Sequence, residues 1–475
     1  MNMDMNAVQT VPSPAHWDLR ATPAGELTVG SVGVLSLAQE YGTPLHVIDE
    51  KRLLTTARNF RAAVESAYAP SKTRVHFAFK CNSVPAVVRA VQSAGLHAEV
   101  MTEYELELAL RLGFAGEQII VNGPCKTEDF LRKSIQSNAR LIIVDSLQEL
   151  QSLMSVAHHL NRTVDILLRV NPDFVPKRMN RGTATGSRKG SAFGLDLKGG
   201  EVATALHHLR DSRATVFRGF HFHIGTGIQD PLDYARALKC LSLLTTETRR
   251  TGFRIEVLDV GGGFASATTR ELTTAELLTY HAFGKLPKPH HHGRTGTFME
   301  FAEVIARAVL DHFPGSALPD LIFEPGRCIT SSNQFLLLTV HRVKERKGVG
   351  KWLIADGGLS TVTTPTYYEY HEILLCNDVT RPRTEMVTII GPACFAGDII
   401  YRNKLMPKVT PGEVIAIMDS GAYFTALESS FGFPRPAIVT VSGSSHRLVR
   451  TRETFENMTA RDLLNWKEGN TKEQP

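Results

Sequence analysis

From Pro44 to about Phe313, short apolar runs alternate with longer stretches whose apolar positions recur every three or four residues. Val75–Phe79, Ala98–Met101, Ile119–Asn122, Leu141–Asp145, Asp165–Val170, Gly219–Ile224 and Glu256–Val260 have the length and composition of strands. Between them Val84–Ala94, Glu103–Arg111, Thr127–Gln136, Leu147–His158, Glu201–Arg210 and Pro231–Thr251 carry the helical period. Strands and helices taking turns predict a parallel α/β sheet. The number of units and their even spacing favour a closed (β/α)8 TIM-like barrel over an open doubly wound sheet. From about Pro319 the period changes: Phe335–Arg342, Trp352–Asp356, Thr384–Ile390, Glu413–Met418 and Ala437–Ser442 are short, β-rich and broken by Gly, Pro and Asn. That pattern predicts a mainly antiparallel β domain. The expected division is an N-terminal arm, 1–43, with one or more strands joining the β domain, then a barrel over 44–315 and the β domain over 316–475.

A barrel carries its functional groups at the C-terminal ends of its strands. That rule selects Lys80, Asn82, Asn122, Asp145, Asn171, His223 and Asp259.

Composition narrows the function by exclusion. The chain has 475 residues, 53 Lys and Arg against 48 Asp and Glu, and no basic tail, so nucleic acid and membrane surfaces are not expected partners. Its apolar runs are far shorter than a membrane span, and Met1–Arg20 is too polar for a secretory signal. The six cysteines form no disulfide framework and no CxxC metal pair, which places the protein in the cytoplasm with reduced thiols and no metal site. Two segments interrupt the rhythm. Pro172–Gly190 gathers Lys177, Arg178, Arg181, Arg188 and Lys189, either a solvated loop or an attractor for an acidic substrate or carrier. Phe283–Gly296 carries His290, His291 and His292, whose consecutive side chains point in different directions and so make a poor metal site.

Lys80 ends an apolar strand, where it is either an exposed amine or one whose pKa apolar neighbours lower enough for imine chemistry. Asp259-Val260-Gly261-Gly262-Gly263-Phe264 is either a tight barrel turn or a cradle of backbone N–H groups for a phosphate. Glu324-Pro325-Gly326-Arg327 sets a carboxylate beside a guanidinium, suited to a ring nitrogen and an anion. His221 and His223 alternate along one strand and share a face, with Gly225-Thr226 behind them.

A lysine, a phosphate cradle, an acid for a ring nitrogen and a flat stacking partner are what pyridoxal phosphate requires. The chain resembles the barrel-type (fold type III, alanine-racemase-like) pyridoxal-phosphate decarboxylases, which include diaminopimelate, ornithine and arginine decarboxylases. The likeness spans about residues 30–460 and rests on FAFKCNS (77–83), HFHIGTG (221–227), DVGGGF (259–264), FEPGR (323–327), GPACFAGD (391–398) and GAYFTALESSFGFPRP (421–436), in that order. It implies that Lys80 bonds the cofactor, Glu324 pairs with its ring nitrogen and His223 stacks on its face. It further implies that Gly261, Gly262, Gly263, Thr226 (usually Ser in the family), Gly326, Arg327 and Tyr423 hold the cofactor and its phosphate. Cys394 would reach the other subunit's active site and protonate the carbanion or guide the carboxylate out, which implies a homodimer with shared sites. The amino-acid substrate would lie near Arg327, Tyr368, Glu369, Phe395 and Asp398.

The resemblance breaks on the substrate side. Diaminopimelate decarboxylases carry CESGD and ornithine decarboxylases CDxxD, with an acid after the cysteine for the distal ammonium; here Phe395 stands there. The arginine of the family's RPALY-like segment, which grips the distal carboxylate, is also missing from Thr364-Pro365-Thr366-Tyr367-Tyr368. Glu369 follows Tyr368 and would be a replacement acid. A modified, conjugated or carrier-linked amino acid is therefore the expected substrate. The alternatives are a racemase of the same fold, disfavoured because racemases put arginine where Glu324 stands, and a non-catalytic regulatory homologue, disfavoured because Lys80 and Cys394 are present.

Overall fold

The computed structural model describes residues 13–69, 72–177, 179, 184–287, 295–313, 318–362 and 368–463. Eight parallel strands form a closed ring, which the short strand Leu195–Asp196 joins beside the fifth: Thr73–Ala78, His97–Val100, Ile119–Val121, Leu141–Val144, Val164–Asn171, Thr215–His221, Val257–Asp259 and Asp320–Phe323. Each pairs with the next, and the eighth returns to the first through Leu321 opposite Thr73, which closes the barrel. Three of the helices between them begin where a hydroxyl accepts a first-turn N–H: Thr102 from Glu105, Thr127 from Phe130 and Ser146 from Glu149. Their apolar faces pack on the outward strand residues Val75, Phe77, Ala98, Ile119 and Leu168.

The inward face is built in layers. Ile120, Ile143, Leu167, Val257 and Ile322 form an apolar plug. Side chains two residues apart on a strand share a face, so the next layer holds Asn122, Asp145, Arg169, Asp259 and Glu324, all buried. An apolar floor beneath a polar ceiling places the chemistry at the barrel's C-terminal mouth.

Two predicted boundaries move. The eighth barrel strand, Asp320–Phe323, lies beyond residue 315, so the barrel is only completed after that point. Leu45–Asp49, counted with the barrel, is instead a central strand of the second sheet, antiparallel to Gln334–Arg346 and parallel to Ala437–Ser442. Its apolar run is covered on both sides, so it reads like a barrel strand in isolation. The single helix expected over Pro231–Thr251 is broken into Leu232–Leu241 and Leu244–Thr251, where the Ser242 hydroxyl donates to the Lys239 carbonyl.

The second sheet runs, by residue range, 399–407, 383–390, 350–355, 334–346, 45–49, 437–442 and 445–450, with 414–417 joined to 334–346 and 373–375 joined to 414–417. Antiparallel pairs predominate, but 350–355 with 383–390 and 45–49 with 437–442 are parallel, so the sheet is mixed. The arm packs on this domain: Trp17, Leu27 and Val29 join Val47, Leu337 and Val439 in one apolar cluster, and the Trp17 indole donates to Asp419 at 2.9 Å.

Candidate active site

The first barrel strand stops at Ala78, and Phe79–Cys81 turns as a short 3₁₀ segment with Phe79 and Cys81 buried beneath it. Lys80, between them, opens onto the mouth and donates to Glu99 Oε2 at 2.6 Å. Burial works to lower its ammonium pKa, but Glu99 and Glu324 outweigh it and the pKa rises. The lowering expected from apolar neighbours is thus reversed by two carboxylates contributed by other strands. Glu99 was not among the residues read from sequence; its one signal is an acid inside an otherwise apolar strand. Its Oε1 is buried with no hydrogen-bond partner among the described residues.

Glu324, just past the eighth strand, faces Asn122, which donates to its two oxygens at 3.3 and 3.4 Å, and His221, whose Nε2 lies 3.4 Å away. Asp259 completes the group, with a ring nitrogen of His221 and carboxyl oxygens of Asp259 and Glu324 within 4.8 Å of one another. Burial pushes both carboxyl groups up, and the charge of Glu324 pushes Asp259 further in the same direction. Asp259 also accepts from the Gly261 N–H at 2.9 Å. Burial holds both His221 and His223 far below the usual imidazole range, so both rings are neutral.

The glycine turn leaves no room for side chains. Gly261 and Gly263 sit at φ +67° and +99°, and a Cβ on Gly262 would lie 2.2 Å from the Glu324 carbonyl. The Gly262 N–H donates to His223 Nδ1 at 3.1 Å, which fixes the ring over the turn and leaves its proton on Nε2. Arg327 lies behind, its Nε donating to Thr226 at 3.3 Å and its guanidinium 5.1 Å from the centre of the Tyr423 ring. Gly326 is held against Cys81. Tyr423 adopts φ +65° and its N–H donates to the Cys81 carbonyl, which ties the second domain to the lysine turn.

On the substrate side, Glu369 is taken up by Arg327 at 2.6 Å and His371 at 3.1 Å. Tyr368 is half-buried beside them. Asp398 is buried and accepts from the Leu359 and Ala393 N–H groups, so its carboxylate shapes the loop that presents Cys394. Cys394 and Phe395 are exposed, and Phe395 meets the exposed Phe431 edge-on at 5.9 Å.

Other strand-end polar residues serve structure. Asn82 donates to Gln334 and the Gly421 carbonyl, Asp145 pairs with Arg169, and Asn171 organises the following loop. Of the basic loop, Lys177 and Arg188 are paired with Asp230 and Asp196, while Arg178 and Arg181 lie outside the described residues. His290, His291, His292 and Thr364–Tyr367 also lie outside them.

A barrel-mouth lysine, a side-chain-free turn of N–H groups with an arginine and a hydroxyl, and a buried acid cluster define the pocket of a pyridoxal-phosphate enzyme. The comparisons agree. The pyridoxal-dependent decarboxylase family matches over residues 53–331 with its pyridoxal-binding domain and over 309–421 with its C-terminal sheet domain. The diaminopimelate decarboxylase of Methanothermobacter thermautotrophicus is 31% identical over 448 residues, 93% of this chain and 96% of that protein. That of Bacillus subtilis is 30% identical over 453 residues, 94% and 98% of the two chains. The crystal structure of the Methanocaldococcus jannaschii diaminopimelate decarboxylase with L-lysine superposes with a TM-score of 0.83 at 28% identity, covering 94% of this chain and 98% of that one. The chain belongs to the pyridoxal-dependent decarboxylase family: it is a pyridoxal-phosphate carboxy-lyase acting on an amino acid. The racemase and non-catalytic alternatives fall away.

The residues present fit the cofactor. Gly261–Gly263, Thr226, Arg327 and Tyr423 would hold the phosphate, Lys80 the aldehyde carbon, Glu324 the ring nitrogen and His223 the ring face. When bound, the cofactor supplies an electron sink for the pair left behind by departing CO2. The chain would supply Glu324, with Asn122, His221 and Asp259 packed around it, to hold a proton at the ring nitrogen. Among the described residues no helix is long and apolar enough to cross a membrane.

Proposed function

We propose that this enzyme removes the α-carboxylate of a diaminopimelate-like amino acid whose distal end is modified, conjugated or carrier-linked, acting as a cytoplasmic homodimer. The observation that carries this is Phe395. It occupies the position directly after Cys394 where the family has an acid, and two other acids expected near the substrate, Glu369 and Asp398, are spent on Arg327 with His371 and on backbone N–H groups. A free distal ammonium facing a phenyl ring would forgo a charge-assisted hydrogen bond of about 1.5–3 kcal/mol. Exposure of Cys394, Phe395 and Phe431 on one chain supports their use across a dimer interface. A second reading, free diaminopimelate, is favoured by the names of the relatives.

A CO2-evolution screen separates the two. The purified enzyme is offered meso-diaminopimelate, lysine, ornithine and acylated or carrier-bound forms, with Lys80→Ala as the blank. Free meso-diaminopimelate turned over as efficiently as any masked compound would refute the proposal and support the second reading.

A further inference from the structure

We infer that Glu369 is a built-in carboxylate that occupies the anion-binding position of Arg327, so that the site takes amino acids lacking a distal carboxylate and refuses dicarboxylic ones. This deepens the substrate reading above and rests on it.

The resemblance places Arg327 both beside the cofactor phosphate and near the substrate, and in the structure it pairs with Glu369 on the substrate side. Its guanidinium meets Glu369 Oε1 at 2.6 Å, with both side chains almost wholly removed from solvent. The second oxygen of Glu369 faces His371 Nε2 at 3.1 Å, while His371 Nδ1 faces the Met418 carbonyl at 2.9 Å. Both ring nitrogens therefore face oxygen acceptors, and the carboxylate lies between two donors. Its backbone is equally constrained: Glu369–Tyr370 pairs with Arg270–Glu271 from the loop after the seventh barrel strand, and Tyr401 donates to the Glu369 carbonyl at 3.0 Å. The side chain is part of a fixed strand bridge between the two domains.

Glu271 stands directly opposite Glu369 in that bridge. Its Oε1 is buried without a partner among the described residues, and burial pushes its carboxyl up to about 7, with Arg327 pulling against Glu369. Glu271 thus adds a second carboxyl group whose field reaches the Arg327 guanidinium. A third carboxylate, brought by a dicarboxylic substrate, would have to displace Glu369 from a buried pair and sit beside Glu271. A neutral group meets neither obstacle. The pairing also matches the chain's departure at 364–368, where the family's carboxylate-gripping arginine is missing.

The experiment uses the cofactor-loaded, full-length enzyme and two probes that differ only in charge at the far end: L-2-aminopimelate and its 7-amide. Dissociation constants come from the change in the visible absorption of the loaded protein, and kcat/KM from CO2 release. Wild type should bind the amide tighter by about ten-fold or more, the scale of one lost charge-assisted hydrogen bond. Glu369→Gln should erase or reverse that preference through KM. Glu369→Asp, which keeps the charge, should keep the preference. An unmoved preference in Glu369→Gln overturns the inference, as does a change in cofactor affinity alone. Wild type binding the dicarboxylic probe as tightly as the amide overturns it without any variant. Free diaminopimelate turned over efficiently in the screen would overturn this inference together with the masked-substrate reading, whereas a preference for free lysine or ornithine would sink the masked-substrate reading alone and leave the probe-pair result standing.

Discussion

Replacing Glu99 with glutamine tests the electrostatics of the lysine turn most directly. Lys80 must lose a proton before its amine can add to an aldehyde, and Glu99, 2.6 Å away and almost fully buried, opposes that loss. The amide of Glu99→Gln keeps an oxygen acceptor at the same place and removes the charge. A hydrogen bond to a charged partner contributes about 1.5–3 kcal/mol. At about 1.36 kcal/mol per pKa unit the Lys80 amine should titrate roughly one to two units lower in Glu99→Gln. Glu324 remains and still holds the amine up, so the shift is partial. The assay follows the rate at which cofactor-free protein develops its visible band on mixing with pyridoxal phosphate, across a pH series. The rate should rise with pH in both proteins, with the rise in the variant displaced to lower pH. A limb in Glu99→Gln at or above the wild-type position would mean that the ion pair does not control the amine.

Asp259 carries a strongly raised pKa because burial penalises its charged form. A raised carboxyl pKa means the folded state binds the proton more tightly than the unfolded one, so the group's stabilising effect is full at low pH and is lost as pH rises through the folded value. Asp259→Asn should therefore melt higher than wild type at alkaline pH, with the gap closing toward the ordinary carboxylate range, as read by thermal unfolding across pH. Gly262→Ala places a methyl group 2.2 Å from the Glu324 carbonyl and should abolish tight cofactor binding, measured by quenching of intrinsic fluorescence. Asp398→Ala strips the acceptor from two backbone N–H groups and should cost about 1–3 kcal/mol per group left buried and unpaired, seen as a lower Tm with the Cys394 loop becoming protease-sensitive.

Periodicity made most of the barrel legible, because each strand and helix buries one face against the next layer and the apolar spacing records that burial. It erred where burial is two-sided or late. Leu45–Asp49 falls inside the range 44–315 expected of the barrel, and only its pairing with Gln334–Arg346 and Ala437–Ser442 reveals the domain to which it belongs. Asp320–Phe323 closes the barrel after a helix of fifteen residues, Phe298–His312, beyond which the pattern had already been given to the β domain.

The chain by itself determined which residue types stand at the ends of strands: the lysine after Phe79, the three glycines after Val260 and the acid before Pro325. These depend on local order along a strand, and alternation alone tells which face they share. Only the tertiary structure decided how their charges balance, because Glu99, Asn122, Asp259 and Glu324 come from four different strands and meet only once the sheet closes. The same holds for Glu369, where a residue that looks available to a substrate in the linear sequence is already bound to Arg327 and His371. Electrostatic energies fall with distance through space, and separation along the chain carries no record of that distance.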